Sequence, residues 1–137
     1  MNISARCEYA CRAMLELALH EWDEKLLSVA QIAENQGVPE KYLVHIMLQL
    51  KRASLVESSR GASGGYRLQR SPDNITLLDI IEAIDGPILT PLPVDDKLGI
   101  PVKNVFKKAA EDIRATLRKI TLRHVLESDL PSGMYYI

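Results

Sequence analysis

Hydrophobic positions recur with a helical period along most of the chain, and the period changes to alternation only between residues 55 and 69. Ile3 to Trp22 contains no Gly or Pro and is rich in Ala, Leu, Met and Glu, so it predicts a first helix. Glu8, Arg12, Glu16 and His20 draw a polar stripe down it, one residue per turn. A second, short helix opens at Ser28-Val-Ala-Gln31, which has capping-box spacing, with Leu27 and Ile32 at the staple positions. It stops at Gly37, a residue free to take the left-handed cap conformation. The third helix runs from Pro39, suited to a first helical position, to Ala53. Tyr42, Leu43, Ile46, Met47 and Leu50 form its expected buried face, with Lys41, Val44, His45, Leu48 and Lys51 opposite.

Leu55 to Ser59 and Tyr66 to Gln69 then read as two short strands around Arg60-Gly-Ala-Ser-Gly-Gly65, a glycine-rich hairpin. Tyr66 and Leu68 are expected to pack, with Arg67 and Gln69 facing water. Thr76-Leu-Leu-Asp79 is a second capping box, stapled by Ile75 and Ile80, and its helix ends at Gly86-Pro87. Pro87 to Pro101, with four prolines, predicts a linker. A long helix follows from about Val102. Val102, Phe106, Ala109, Ile113, Leu117 and Ile120 have coiled-coil spacing, and Thr121 is placed to cap a last short helix through Leu126.

This pattern predicts a mainly α fold with a small β-hairpin wing: a winged helix-turn-helix plus a long C-terminal dimerisation helix. The organisation expected is a DNA-binding domain over residues 1–86, a linker over 87–101, a dimerisation region over 102–127 and a tail over 128–137. At 137 residues the chain is long enough to bury a working core. Aromatics are few, with one Trp, one Phe and five Tyr, so that core must be aliphatic. No apolar run approaches a membrane span, no signal-peptide layout is seen, and the expected location is the cytoplasm.

A net charge of −1 is weak evidence against a nucleic-acid binder, but the distribution reverses that reading. Pro39 to Pro72 holds six basic and two acidic residues, a net +4 that leaves −5 for the remainder. In a helix-turn-helix the second helix enters the major groove while the first crosses the backbone. The N-terminal exposed residues of the third helix, Lys41, Val44 and His45, are therefore placed to meet base edges. Gln31 is placed to meet phosphate near free amides, Lys51 lies at the far end of the entering helix, and Arg60 beside Gly61 suits a minor groove. The wing glycines are read as letting the backbone approach the sugar-phosphate wall. No Gly-Lys-Ser/Thr and no G-x-G-x-x-G opens a helix, which excludes a P-loop or dinucleotide fold. No convergent His/Asp/Ser or His/Cys cluster is apparent, so no enzyme chemistry is expected.

The chain resembles the Rrf2 (Rrf-two) family of winged-helix transcription regulators. The resemblance rests on Tyr9-Ala10-Cys-Arg12-Ala13-Met14, Ile32-Ala33-Glu34, Tyr42-Leu43, Leu50, the wing Arg60-Gly-Ala-Ser-Gly-Gly-Tyr66-Arg67-Leu68, and Ile75-Thr76-Leu-Leu-Asp79-Ile80-Ile-Glu82-Ala83. It implies a homodimer paired through the long helix and binding a palindromic operator in double-stranded DNA; the regulator expected is a repressor or an activator, with repressor the favoured reading. By position it implies contacts from Lys41, Tyr42 and His45 on the helix and from Arg60 and Gly61 on the wing. Ser63, also assigned to the DNA-binding set, stands where the family often has glycine, which stiffens the tip.

Cluster-binding relatives carry three cysteines in the linker, and this linker has none, so no iron–sulfur cofactor is expected. Glu8 matches a position that supplies a carboxylate ligand in some relatives. Cys7 and Cys11 lie one turn apart on the first helix: as packed core residues on the plain reading, as a redox or soft-metal site on the sharper one. A disulfide between them has awkward geometry. His20 and His124 read as surface or interface residues. Two alternatives stay open: a winged helix that docks a partner protein, and a thiol- or metal-responsive regulator using Cys7 and Cys11. A small-molecule or protein effector is expected to act near the linker and the dimerisation helix.

Overall fold

The computed structural model describes residues 2–23 and 25–128, so the part of the expected tail from residue 129 onward lies outside the described residues. The elements run α1 (Ala5–Leu19), α2 (Val29–Gln36), α3 (Glu40–Arg52), β1 (Val56–Ser59), β2 (Gly65–Leu68), a 3-10 turn (Pro72–Asn74), α4 (Leu77–Asp85), α5 (Ile100–Arg118) and α6 (Leu122–Glu127). The fold is mainly helical with one antiparallel hairpin, as the hydrophobic pattern predicts.

Local signals account for most helix boundaries. The Ser4 hydroxyl caps α1 by accepting from the Cys7 amide at 3.0 Å. Ser28/Gln31 and Thr76/Asp79 both close as reciprocal capping boxes, and Thr121 forms a third with His124. Each cap contributes about 1 kcal/mol by satisfying amides that have no partner within the helix. Gly37 ends α2 at φ 65°. Pro39 sits one residue earlier than predicted, at the N-cap of α3 in extended conformation, because the tight Gly37 turn leaves it there. Pro101 belongs to the first turn of α5 rather than to the linker, since its missing N–H costs nothing there.

The core is one aliphatic cluster. Ala10, Ala13 and Met14 of α1, Ile32 of α2, Leu43, Ile46, Met47 and Leu50 of α3, and Ile75 and Ile80 around α4 are completely buried. Two residues and one helix seam depart from the predicted faces. Glu16 is buried, although it belongs to the polar stripe, because donors from α1 and α2 enclose it. Tyr42 is 45% exposed rather than buried, since Leu43 already fills that part of the core. The heptad seam on α5 divides: Ile113 and Leu117 pack against this chain's own core, while Val102 and Phe106 stay exposed along with Val105, which lies outside the heptad.

Strand pairing runs from Val56 opposite Leu68 to Ser59 opposite Gly65. Leu27 adds a third segment that the sequence reading missed, exchanging backbone bonds with Tyr66 at 3.0 and 2.7 Å. A second clasp joins the starts of α4 and α6: the Leu77 amide donates to Ile120, and the Leu122 amide to Ile75. Arg114 of α5 pairs with Glu82 of α4, and Arg123 of α6 bridges Glu21 and Asp73. These contacts hold the C-terminal helices on the side of the domain that carries α4.

Candidate nucleic-acid interface

α2, the Gly37 turn and α3 form the helix-turn-helix, and its angle is set by polar contacts beneath it. The buried Glu16 carboxylate accepts from His20 Nε2 at 2.9 Å, Asn35 Nδ2 at 3.1 Å and Gln36 Nε2 at 2.9 Å. Arg12 donates to the Gln36 carbonyl at 3.1 Å, while its Nε pairs with Glu8 at 2.6 Å. The last turn of α2, just before Gly37, is thereby tied to α1 from two directions. His20 donates through Nδ1 to Asp23 at 2.6 Å and through Nε2 to Glu16. A ring with carboxylates at both nitrogens is favoured as imidazolium, so its pKa is raised, first by Asp23 and then by Glu16, against partial burial.

On the outer face of α3, Lys41, Tyr42, Val44 and His45 are all exposed near its N-terminus. Tyr42 stacks on Tyr9 of α1, ring centroids 6.0 Å apart, and the Lys41 ammonium lies 5.1 Å from the Tyr42 centroid. These contacts limit the rotamers of two predicted contact residues in advance of any partner. At the other end, Lys51 donates to the Ser58 hydroxyl at 2.7 Å, tying α3 to the wing. Ser54 follows α3 at φ 60° and lets the Leu55 amide reach the Leu50 carbonyl at 3.0 Å. The chain turns there directly from helix into wing.

Arg60, Gly61 and Ser63 are exposed at the wing tip. Gly61 has φ 107° and open space around it, whereas Gly64 and Gly65 serve the hairpin itself. A Cβ on Gly64 would lie 2.4 Å from the Ser59 carbonyl oxygen, and one on Gly65 2.4 Å from that of Leu27. Those two glycines are thus required by the fold, not by approach to a partner. Gln31 is exposed, but its side-chain oxygen is committed to the Ser28 cap at 2.9 Å, which leaves only its amide nitrogen for another group.

The positive charge is narrower than the residue count implies. Arg67 pairs with Glu57, and Arg70 with Asp79 at 3.8 Å. Among the described residues, Lys41, Lys51, Arg52 and Arg60 have no carboxylate partner. Arg6 of α1, which the sequence reading passed over, donates to Gln49 of α3 and brings a further cation beside that helix. Only the tertiary packing of α1 on α3 reveals it.

Cys7 is fully buried, and its hydrogen bond with Cys11, its burial and the nearby Asp85 carboxylate all push its thiol up. Cys11 is half-buried, and the same hydrogen bond lowers its pKa. No group of three or more His, Cys, Asp or Glu side chains among the described residues could hold a metal ion. No helix among them is long and apolar enough to cross a membrane.

The sequence profile of the Rrf2 family, described as an iron-dependent transcriptional regulator, matches residues 3–128. A putative HTH-type transcriptional regulator, rrf2-like, from Rhodobacter capsulatus is 31% identical over 145 residues, covering 96% of both chains. The solved structure of CymR, the global cysteine regulator of B. subtilis, superposes with a TM-score of 0.75 at 33% identity, covering 91% of this chain and 95% of that one. IscR of T. potens superposes with a TM-score of 0.72 at 35% identity, covering 99% and 97%.

Proposed function

As the chain belongs to the Rrf2 family of DNA-binding transcriptional regulators rather than enzymes, we propose that it acts as a homodimeric repressor that reads a palindromic operator in the cytoplasm. α3 enters the major groove with Lys41, Tyr42, His45 and flanking Val44 near base edges, and Lys51 reaches phosphate from its far end. The wing lays Arg60, Gly61 and Ser63 along the adjacent minor groove, and Gln31 steadies α2 on the backbone. The observation that carries this reading is the exposure of Lys41, His45 and Arg60, without carboxylate partners, on two elements locked together through Lys51 and Ser58. Residues 1–86 serve as the DNA-binding unit, 87–99 as the linker and 100–127 as the pairing region. The exposed Val102 and Val105 on a 19-residue helix with no buried residue support pairing through α5.

The family description implies iron, and the donor set does not fit it. The chain has two cysteines, both on α1, one of them fully buried, and the linker supplies no thiolate. The regulator proposed here works without a cluster.

The test is the salt dependence of binding to a duplex, for the full chain and for Lys41→Ala and Arg60→Ala. Loss of either cation should lower affinity and make the slope of log K against log salt shallower, by about 0.9 for each phosphate charge it neutralises. A double variant that matches the parent in affinity and slope would contradict this reading and favour a partner-docking module instead.

A further inference from the structure

We propose that the cavity between the linker and α5 binds a small amphipathic organic carboxylate. Its use as an effector site rests on the regulator reading above; its occupancy does not. The cavity measures about 470 Å³, within the span typical of small-molecule pockets. Leu89 and Leu92 of the linker form one wall, and Phe106 and Ala110 of α5, one turn apart, form the other.

Among the described residues the polar groups of the lining are few, and the charged ones are all cationic. Lys103 and Lys107 line the same cavity one helical turn apart, and Thr90 adds an exposed hydroxyl. Lys103 is held weakly, 3.4 Å from the Val94 carbonyl and 3.9 Å from the fully exposed Asp95 carboxylate. Lys107 has no carboxylate partner among the described residues. Among the described residues no acidic side chain lines the cavity, so a cationic ligand is disfavoured. The apolar walls are equally poor for bare phosphate or a metal ion, which require dense polar coordination. An apolar body of modest size carrying one carboxylate satisfies both halves: the body removes the walls from water, and the carboxylate meets the two ammonium groups.

A second copy of the chain is the competing occupant, because Phe106 also borders the exposed face of α5. The concave shape and the paired lysines favour the small ligand. A pairing helix would instead use Val102 and Val105, which do not line the cavity. A ligand here would touch both the linker and α5, and so could bias how the pairing region sits on the DNA-binding unit.

The experiment is an NMR titration of the full chain, methyl-labelled at leucine and free of DNA, with octanoate, 1-octanol and octylamine as probes. Octanoate should saturate one site per chain, with shifts concentrated at Leu89 and Leu92, and should bind better than octanol or octylamine. Lys107→Glu should weaken it by about tenfold, the loss of one charge-assisted contact. Ala110→Trp, checked for folding by circular dichroism, should abolish binding by filling the cavity. Absence of saturable binding at millimolar octanoate, binding to either variant as tight as to the parent, or intermolecular contacts to Leu89 and Leu92 from a partner copy would each overturn the proposal. Unchanged DNA affinity at saturating octanoate would overturn the effector role alone.

Discussion

Replacing Glu16 by Ala removes the acceptor at the centre of the α1–α2 junction. Three side-chain donors lose it: His20 Nε2, Asn35 Nδ2 and Gln36 Nε2, all within 3.1 Å. A hydrogen bond to a charged group contributes about 1.5–3 kcal/mol where both partners are shielded. Here the donors reach water once released, since Asn35 is exposed and His20 and Gln36 are half-buried, so about 1 kcal/mol each is the better figure. Part of the sum is returned, because the folded state no longer has to desolvate a carboxylate. The net expectation is a loss of about 2–3 kcal/mol, or about 7–10 °C in Tm for a chain of this length. Urea unfolding followed by circular dichroism measures it. Glu16→Gln, which keeps the shape but turns one acceptor into a donor facing donors, should lose about 1–2 kcal/mol. A loss below about 0.5 kcal/mol for Glu16→Ala would mean that surface charge, not this network, seats α2.

Four further outcomes follow from individual residues. The raised pKa of His20 lies above its unfolded value, so its contribution to stability is complete below about pH 6.5 and is lost as pH rises through the folded pKa. The stability gap between the parent and His20→Asn should therefore shrink over that window, and a gap constant from pH 6 to 8.5 would contradict the assignment. Ser54→Gly should raise stability by up to about 1 kcal/mol, because a non-glycine residue holds φ 60° there; thermal melts decide, and a lower Tm would refute it. Gly65→Ala should cost more than about 2 kcal/mol and weaken DNA binding as well, through its φ of 150° and the clash with Leu27; an unchanged melt would show that the Leu27 bridge yields freely. In the native protein a thiol reagent should modify Cys11 well before Cys7, as mass spectrometry of peptides would reveal, and equal rates would place Cys7 nearer to solvent than its burial indicates.

What could be read from residues alone was whatever is encoded locally. The Ser28 and Thr76 capping boxes, the Thr121 cap, the Gly37 stop and the glycine-rich hairpin are written within a few neighbouring positions, and each formed where the spacing placed it. What escaped depends on contacts distant in sequence. Glu16 looked like a surface charge because Asn35 and Gln36 reach it only after α2 folds back on α1. Leu27 carried no strand signal, since its pairing depends on Tyr66. The heptad on α5 mixed two surfaces, because a period of about 3.5 residues cannot distinguish a helix packed on its own domain from one awaiting a partner. For the interface, the exposed side chains of α3 and the wing were legible, whereas Arg6 and the pairing of Arg67 and Arg70 with carboxylates were not.

The most direct test of the central claim is selection of duplexes from a random pool by the full chain, followed by footprinting of the enriched sequences. The account predicts an inverted repeat with half-sites about 10 base pairs apart, or a multiple of that spacing, protected in the major groove at each half-site and in the minor groove beside it. It also predicts that Arg60→Ala loses the minor-groove protection while keeping the major-groove footprint. A pool that shows no enrichment, or a single unpaired site protected identically by the parent and Arg60→Ala, would contradict a dimer reading DNA through α3 and the wing.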